Sequence, residues 1–185
     1  EQGEVRWNLT GQHSVANALV TLAAARHVGV VPALGIVALS QFHSVKRRME
    51  KVAEVRGITL YDDFAHHPTA IATTLDGLRK SVGGAQVIAV IEPRSNSMKL
   101  GAHRQGLPDS VVQADRVFWY APPNLGWDLA ATVAGSPVPT QVCDSLDAII
   151  AGVKAHAAAG TQVVIMSNGG FGGLHGKLAQ ALAED

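Results

Sequence analysis

Apolar positions recur along this chain with two different periods, and the change between them divides it. From Thr10-Gly11 to His27, Val15, Leu19, Leu22 and Ala23 return at helical spacing, with Gly29 placed as a C-cap. Pro32 opens a second helical stretch, in which Ile36, Leu39 and Phe42 are expected to face inward. Residues 5–9 alternate only weakly (Val5, Trp7, Leu9), as a last strand or a loop would. No strand-like run separates the two helices.

Beyond residue 44 the period shortens. Val45 to Glu50, followed by Val52 and Val55, reads as an edge strand, and Gly57 turns the chain into Ile58–Leu60. Ile71, Leu75 and Leu78 form a helical stripe ending near Gly83-Gly84. Val87 to Ile91 is continuously apolar, as in a parallel strand covered on both faces. Residues 97–114 read as polar helix broken at Pro108. Val117–Tyr120 and Gln141–Cys143 are strands, Leu146 to Val153 is an amphipathic helix, and Val163–Met166 is the last buried strand. Leu174, Leu178 and Leu182 close the chain as a helix. Alternation from about residue 58 predicts an α/β fold with a Rossmann-like, doubly wound, mostly parallel sheet. The boundary is expected near residues 41–44, with 1–43 the helical tail of a preceding domain and 44–185 the sheet domain.

Composition narrows the class. Of 185 residues, 47% are hydrophobic and 16% charged, which suits a well-buried core. Fifteen basic and fifteen acidic residues cancel, which argues against nucleic acid or an anionic membrane as partner. No apolar run reaches the length of a membrane span, and the single Cys143 fits a reducing, cytoplasmic setting. The chain starts at Glu1, not at Met, and reads as a piece of something longer.

The densest chemistry lies at Tyr61-Asp62-Asp63-Phe64-Ala65-His66-His67-Pro68, where a strand ends in two carboxylates and two imidazoles. Open α/β sheets bind ligands at that edge. These residues could equally be turn and capping groups, or a divalent-metal set, although no further ligand cluster accompanies them. Arg94, with Lys99 nearby, follows a second strand and suits a carboxylate ligand; a surface ion pair with Glu92 is the alternative. Lys46-Arg47-Arg48 could hold polyphosphate or be a solvated strand edge. Ser167-Asn168-Gly169-Gly170-Phe171-Gly172-Gly173 follows the last strand and is not a dinucleotide fingerprint. It could aim amides at an anion or be a tight turn alone. The expected sheet brings 61–67, 92–99 and 167–173 into one crevice. Neither a Walker phosphate loop nor a nucleophile elbow occurs in the sequence.

Several segments together resemble the C-terminal part of the Mur ligases, the ATP-dependent amide-forming enzymes of bacterial cell-wall synthesis. Gly11-Gln12-His13-Ser14-Val15-Ala16-Asn17-Ala18 is similar to the family's G-x-H-N-x-x-N-A, with Ser14 in place of Asn. Residues Phe42 to Glu50 are similar to F-x-G-V-x-R-R-x-E, with Ser44 in place of Gly. Residues Asp62 to Pro68 match D-D-[YF]-x-H-H-P of the UDP-N-acetylmuramate-dependent branch. Ile91-Glu92-Pro93-Arg94-Ser95-Asn96-Ser97-Met98-Lys99 and the glycine turn resemble the members that attach the murein tripeptide L-Ala-γ-D-Glu-meso-diaminopimelate in cell-wall recycling.

The resemblance implies an acyl phosphate formed from ATP on UDP-N-acetylmuramate and attacked by the tripeptide amine. ATP and Mg2+ would be held mainly by a central domain in the rest of the chain, so the piece alone is expected to be inactive. It implies nucleotide contacts at His13, Asn17, Arg48 and Asp63, with catalytic His66 and His67 near the phosphate and the amine. Arg94, Ser95, Asn96, Lys99, Ser167, Asn168, Gly169 and Gly170 would surround the tripeptide, and no metal ligand is assigned. Alternatives are the L-alanine-adding branch, a stand-alone nucleotide- or peptide-binding module, and a metal-dependent hydrolase using the Asp/His set.

Overall fold

The computed structural model describes residues 3–94 and 103–184. Two helices come first, α1 (Gln12–His27) and α2 (Pro32–Ser40). The sheet elements follow: β1 (Glu50–Val55), β2 (Ile58–Asp63), α3 (Pro68–Val82) and β3 (Val87–Ile91). A 3-10 turn at Arg104–Gly106 leads into α4 (Leu107–Ser110), then β4 (Arg116–Tyr120) and α5 (Leu129–Val133). The chain ends with β5 (Thr140–Cys143), α6 (Leu146–His156), β6 (Gln162–Met166) and α7 (Leu174–Ala183).

The six strands are ordered β1-β2-β6-β3-β4-β5. Only the β1–β2 pair is antiparallel, and the other pairs are parallel. The two-residue strand period sends alternate side chains to opposite faces, and helices cover both. Val87, Ala89 and Ile91 pack with Ile71, Leu75 and Leu78 of α3 and with Trp119 and Met166. Ile88 and Val90 pack on the other face with Phe118, Ile149 and Val153 of α6, and with Leu174 and Leu178 of α7. This is the expected doubly wound sheet, with β6 inserted at its centre between β2 and β3.

Four local expectations change. Residues 45–49 form a turn, and β1 begins only at Glu50; Ser44, Arg47 and Met49 all have left-handed φ (77°, 60° and 50°), which no strand tolerates. Pro108 does not break a helix but sits in the first turn of α4, where its missing N–H costs nothing. The α1 stripe is turned outward: Ser14 and Ala18 are buried while Val15 and Leu19 are exposed. The N-terminal end of α1 meets α3 by backbone approach, and a Cβ on Gly77 would lie 3.2 Å from the Gly11 Cα, so small residues take the inner face. Phe42 is likewise exposed, beyond the end of α2. α5 had no sequence signal strong enough to predict it.

Candidate functional site

Three neighbouring parallel strands deliver their chain exits side by side. Asp63 of β2 and Ile91 of β3 both pair with Met166 of β6. The ladder continues one step past the strands: Ser167 N donates to Asp63 O at 3.1 Å, and Glu92 N to Met166 O at 2.9 Å. The stretches beginning at 61, 92 and 167 therefore share one edge, as the alternation of elements implied.

The turn at residues 44–49 is stitched onto this edge. Phe64 N donates to Arg47 O at 2.9 Å, and Met49 N to Asp63 Oδ2 at 2.9 Å. Arg47 Nε reaches Asp62 Oδ2 at 3.2 Å, while its Nη2 donates to the carbonyls of Ser167 and Gly169. The guanidiniums of Arg47 and Arg48 both lie over the Phe64 ring, at 5.2 and 5.6 Å from its centroid. Arg47 is thus committed to the protein, whereas Arg48 is exposed and has no ion pair among the described residues. Of the Lys46-Arg47-Arg48 run, the side chain of Arg47 is therefore taken up by the protein itself.

Two of the candidate residues bond extensively to their own chain. Asp63 is only 2% exposed, and its carboxylate accepts from Met49 N, Ala65 N at 2.8 Å and Thr74 Oγ1 at 3.3 Å. Three donors of the domain itself thus hold the Asp63 carboxylate in place. Ser167 is fully buried; its hydroxyl donates to the buried carboxylate of Glu92 and accepts from Gly169 N at 2.9 Å. It ties the start of the glycine turn to the end of β3. Glu92 follows a strand and is buried, so the imagined surface pair with Arg94 is absent.

The imidazoles divide by partner. His66 Nδ1 lies 2.9 Å from Phe64 O, with its ring edge-on to Phe64. His67 is the N-cap of α3, its Nδ1 accepting weakly from Thr69 N at 3.4 Å. Its ring stands 4.3 Å from that of His103, which no motif had marked. Burial, and then the His103 and His66 imidazoles, lower the His67 pKa. A neutral ring at this place can accept a proton.

Arg94 is exposed and carries no salt bridge among the described residues. Its guanidinium lies across Gly169, where a Cβ would come within 2.8 Å of Cζ. Asn168 Oδ1 is buried without a partner, and Asp62 Oδ1 faces His175 Nε2 at 3.1 Å out of line for a hydrogen bond. Gly170 is exposed at the tip of the turn. His13 and Asn17 lie on the exposed surface of α1. Ser95, Asn96 and Lys99 lie outside the described residues. Among the described residues no group of three or more His, Cys, Asp or Glu side chains could hold a metal ion, and no helix is long and apolar enough to cross a membrane.

A doubly wound, mostly parallel sheet with exposed Arg48 and Arg94 and a glycine turn at one edge defines the class, an α/β domain of Rossmann-like build. The chain belongs to the Mur ligase family: residues 47–169 match its glutamate ligase domain. Over 98% of its length it is 46% identical to the UDP-N-acetylmuramate–L-alanyl-γ-D-glutamyl-meso-2,6-diaminoheptandioate ligase of Escherichia coli, covering 40% of that protein. A murein peptide ligase from Psychrobacter arcticus is 45% identical, with a TM-score of 0.78 over 98% of this chain and 39% of its own. A UDP-N-acetylmuramate–L-alanine ligase from a Synechococcus species is 35% identical over 83% of this chain. The chain thus spans about 40% of the length of the first of these relatives.

Proposed function

We propose that this chain is the C-terminal part of an ATP-dependent amide ligase that joins the murein tripeptide L-Ala-γ-D-Glu-meso-diaminopimelate to UDP-N-acetylmuramate. The observation that carries the reading is the 46% identity over 98% of the chain to an enzyme of that specificity. Against the L-alanine-adding branch, the identity is higher and extends over more of the chain. Residues 1–43 would be the end of the central domain, and 44–185 the domain that closes over its nucleotide.

In this reading ATP activates the lactyl carboxylate of UDP-N-acetylmuramate as an acyl phosphate, and the tripeptide amine displaces the phosphate. Such chemistry rests on positioning and charge neutralisation. Exposed Arg48 is the group of this chain suited to the phosphates, and His13 and Asn17 of α1 to the adenine. Mg2+ would be held by the rest of the protein. His67, whose pKa is lowered beside His66 and His103, would take the proton that the attacking ammonium must lose. Arg94, Asn168 and the amides around Gly169 and Gly170 would receive the peptide carboxylates, and the family resemblance adds Ser95, Asn96 and Lys99 to the same role.

The test uses the full-length protein with ATP and UDP-N-acetylmuramate, offering tripeptide or L-alanine and following ADP and the ligated product. Tripeptide-dependent product is expected. Turnover with L-alanine alone would reject the reading in favour of the other branch.

A further inference from the structure

We propose that Arg47 is the positioning residue for the peptide-facing turn, fixing the backbone of residues 167–169 to the floor of the sheet. For its substrate this rests on the ligase reading above; for its contacts it rests on geometry alone. The Arg47 main chain is held on both sides. Its amide donates to Glu50 Oε2 at 2.9 Å, and its carbonyl accepts from Phe64 N at 2.9 Å. Arg47 holds this position with a left-handed φ of 60°.

The guanidinium spans the edge of the sheet. It takes Asp62 Oδ2 through Nε, and the carbonyls of Ser167 and Gly169 through Nη2, the latter at 2.8 Å and across 122 positions of sequence. One planar group satisfies three acceptors in two separate segments while stacking on Phe64. An ammonium on a flexible stem has no such fork. The turn it holds contains Gly169, Gly170, Gly172 and Gly173, and a glycine-rich backbone keeps one conformation only where it is tied. Its other ties at this end are Ser167 N to Asp63 O and Gly169 N to Ser167 Oγ, while Gly173 N to Gly170 O and the buried Phe171 hold its far half. Gly169 therefore has its carbonyl on Arg47 while the Arg94 guanidinium crosses its Cα.

The consequence is a division of labour within the Arg-Arg pair. Arg48 is offered outward, and Arg47 sets where Asn168, Gly169 and Gly170 present their polar groups. Arg47 touches no reacting atom in this arrangement and is not a catalytic residue. Its loss should be felt by the ligand of the 167–170 turn and not by the nucleotide.

The experiment uses the full-length enzyme with Arg47→Lys and Arg47→Ala, varying tripeptide and ATP separately, together with amide hydrogen exchange at Gly169 and Gly170. We expect both variants to raise the tripeptide KM by about tenfold or more, the loss typical of removing charge-assisted bonds that orient a site. The ATP KM should stay within about twofold, and exchange should quicken at 169–170 while the β3 and β6 amides stay protected. An unchanged tripeptide KM would overturn the proposal, as would equal rises in both constants with exchange spread through the sheet. If the wild-type enzyme ligated no tripeptide, the ligase reading would fall. Exchange at Gly169 and Gly170 would then decide alone: quickened in the variants it supports the proposal, and unchanged it overturns it.

Discussion

Gly169 lies under the guanidinium of Arg94, close enough that a Cβ on Gly169 would stand 2.8 Å from Arg94 Cζ. The glycine is there because the cation crosses the backbone, and not because of its own φ, which is not left-handed. Gly169→Ala should therefore displace Arg94, whose exposed side chain can swing away at little cost in stability. In the full-length enzyme the tripeptide KM is expected to rise by about tenfold or more, with ATP little affected, because a charge-assisted contact is worth about 1.5–3 kcal/mol. An unchanged tripeptide KM would separate Arg94 from the peptide site.

Ser44 bears on a different property, the stiffness of the turn that carries the two arginines. The family pattern has glycine at this position, and Ser44 adopts φ 77°, a conformation that costs an ordinary L-residue about 1–2 kcal/mol. Ser44→Gly removes that strain but returns about 0.5–1 kcal/mol to the entropy of the unfolded chain. The expected net result is a stabilisation of up to about 1 kcal/mol, measured by urea unfolding. A clear destabilisation would mean that the Ser44 hydroxyl, which lies 3.4 Å from Arg48 O, holds the turn more firmly than its strain loosens it.

What could be read from the chain follows from which signals are periodic. Val87–Ile91 and Val163–Met166 are short, wholly apolar and bounded by polar residues, so strand, depth and order of elements were legible. The meeting of the stretches that start at 61, 92 and 167 along one edge followed from that order. Local hydrophobicity could not tell a solvated basic strand from the 44–49 turn, because that turn is defined by left-handed φ and by acceptors far away in sequence. It also could not tell which of two adjacent arginines faces in. Burial of Asp63 and Ser167 was hidden for the same reason: polar residues in a matching motif read as ligand contacts, yet these two bond to their own chain. His103 had no signal at all, lying next to a segment without strong periodicity.

The imidazole pair gives a pH prediction with a definite sign. Burial first, then the His103 and His66 rings, hold the His67 pKa below its ordinary 6.5. In an NMR titration its midpoint should fall below that value. His103→Asn should move it part of the way back, since the larger cause remains. An unfolded chain binds this proton more readily than the folded one, so the group's contribution to stability is present above about pH 6.5. It is lost as pH falls through the lowered folded value. A wild-type midpoint at or above 6.5 would contradict the burial and the imidazole neighbours invoked here.

Asp63 separates the two roles that a motif carboxylate can play. If it served the nucleotide, Asp63→Ala would leave the empty protein intact and weaken ATP alone. Its contacts predict an internal role: Met49 N, Ala65 N and Thr74 Oγ1 all aim at it, and it is only 2% exposed. Truncation strands those donors in a buried place, at about 1–3 kcal/mol for each one left unsatisfied and not rescued by water. We expect a total loss of about 3 kcal/mol, and a Tm lower by about 6–12 °C for a domain of this size. Asp63→Asn keeps one acceptor oxygen but turns an amide NH2 toward a donor, and should fall between the wild type and Ala. The ATP constant will also rise, because Met49 N anchors the turn that carries Arg48, so kinetics alone cannot tell the roles apart. The deciding measurement is the melting temperature without nucleotide. If Asp63→Ala melted with the wild type and only the ATP constant changed, the carboxylate would be a nucleotide ligand, and the internal role given to it here would be wrong.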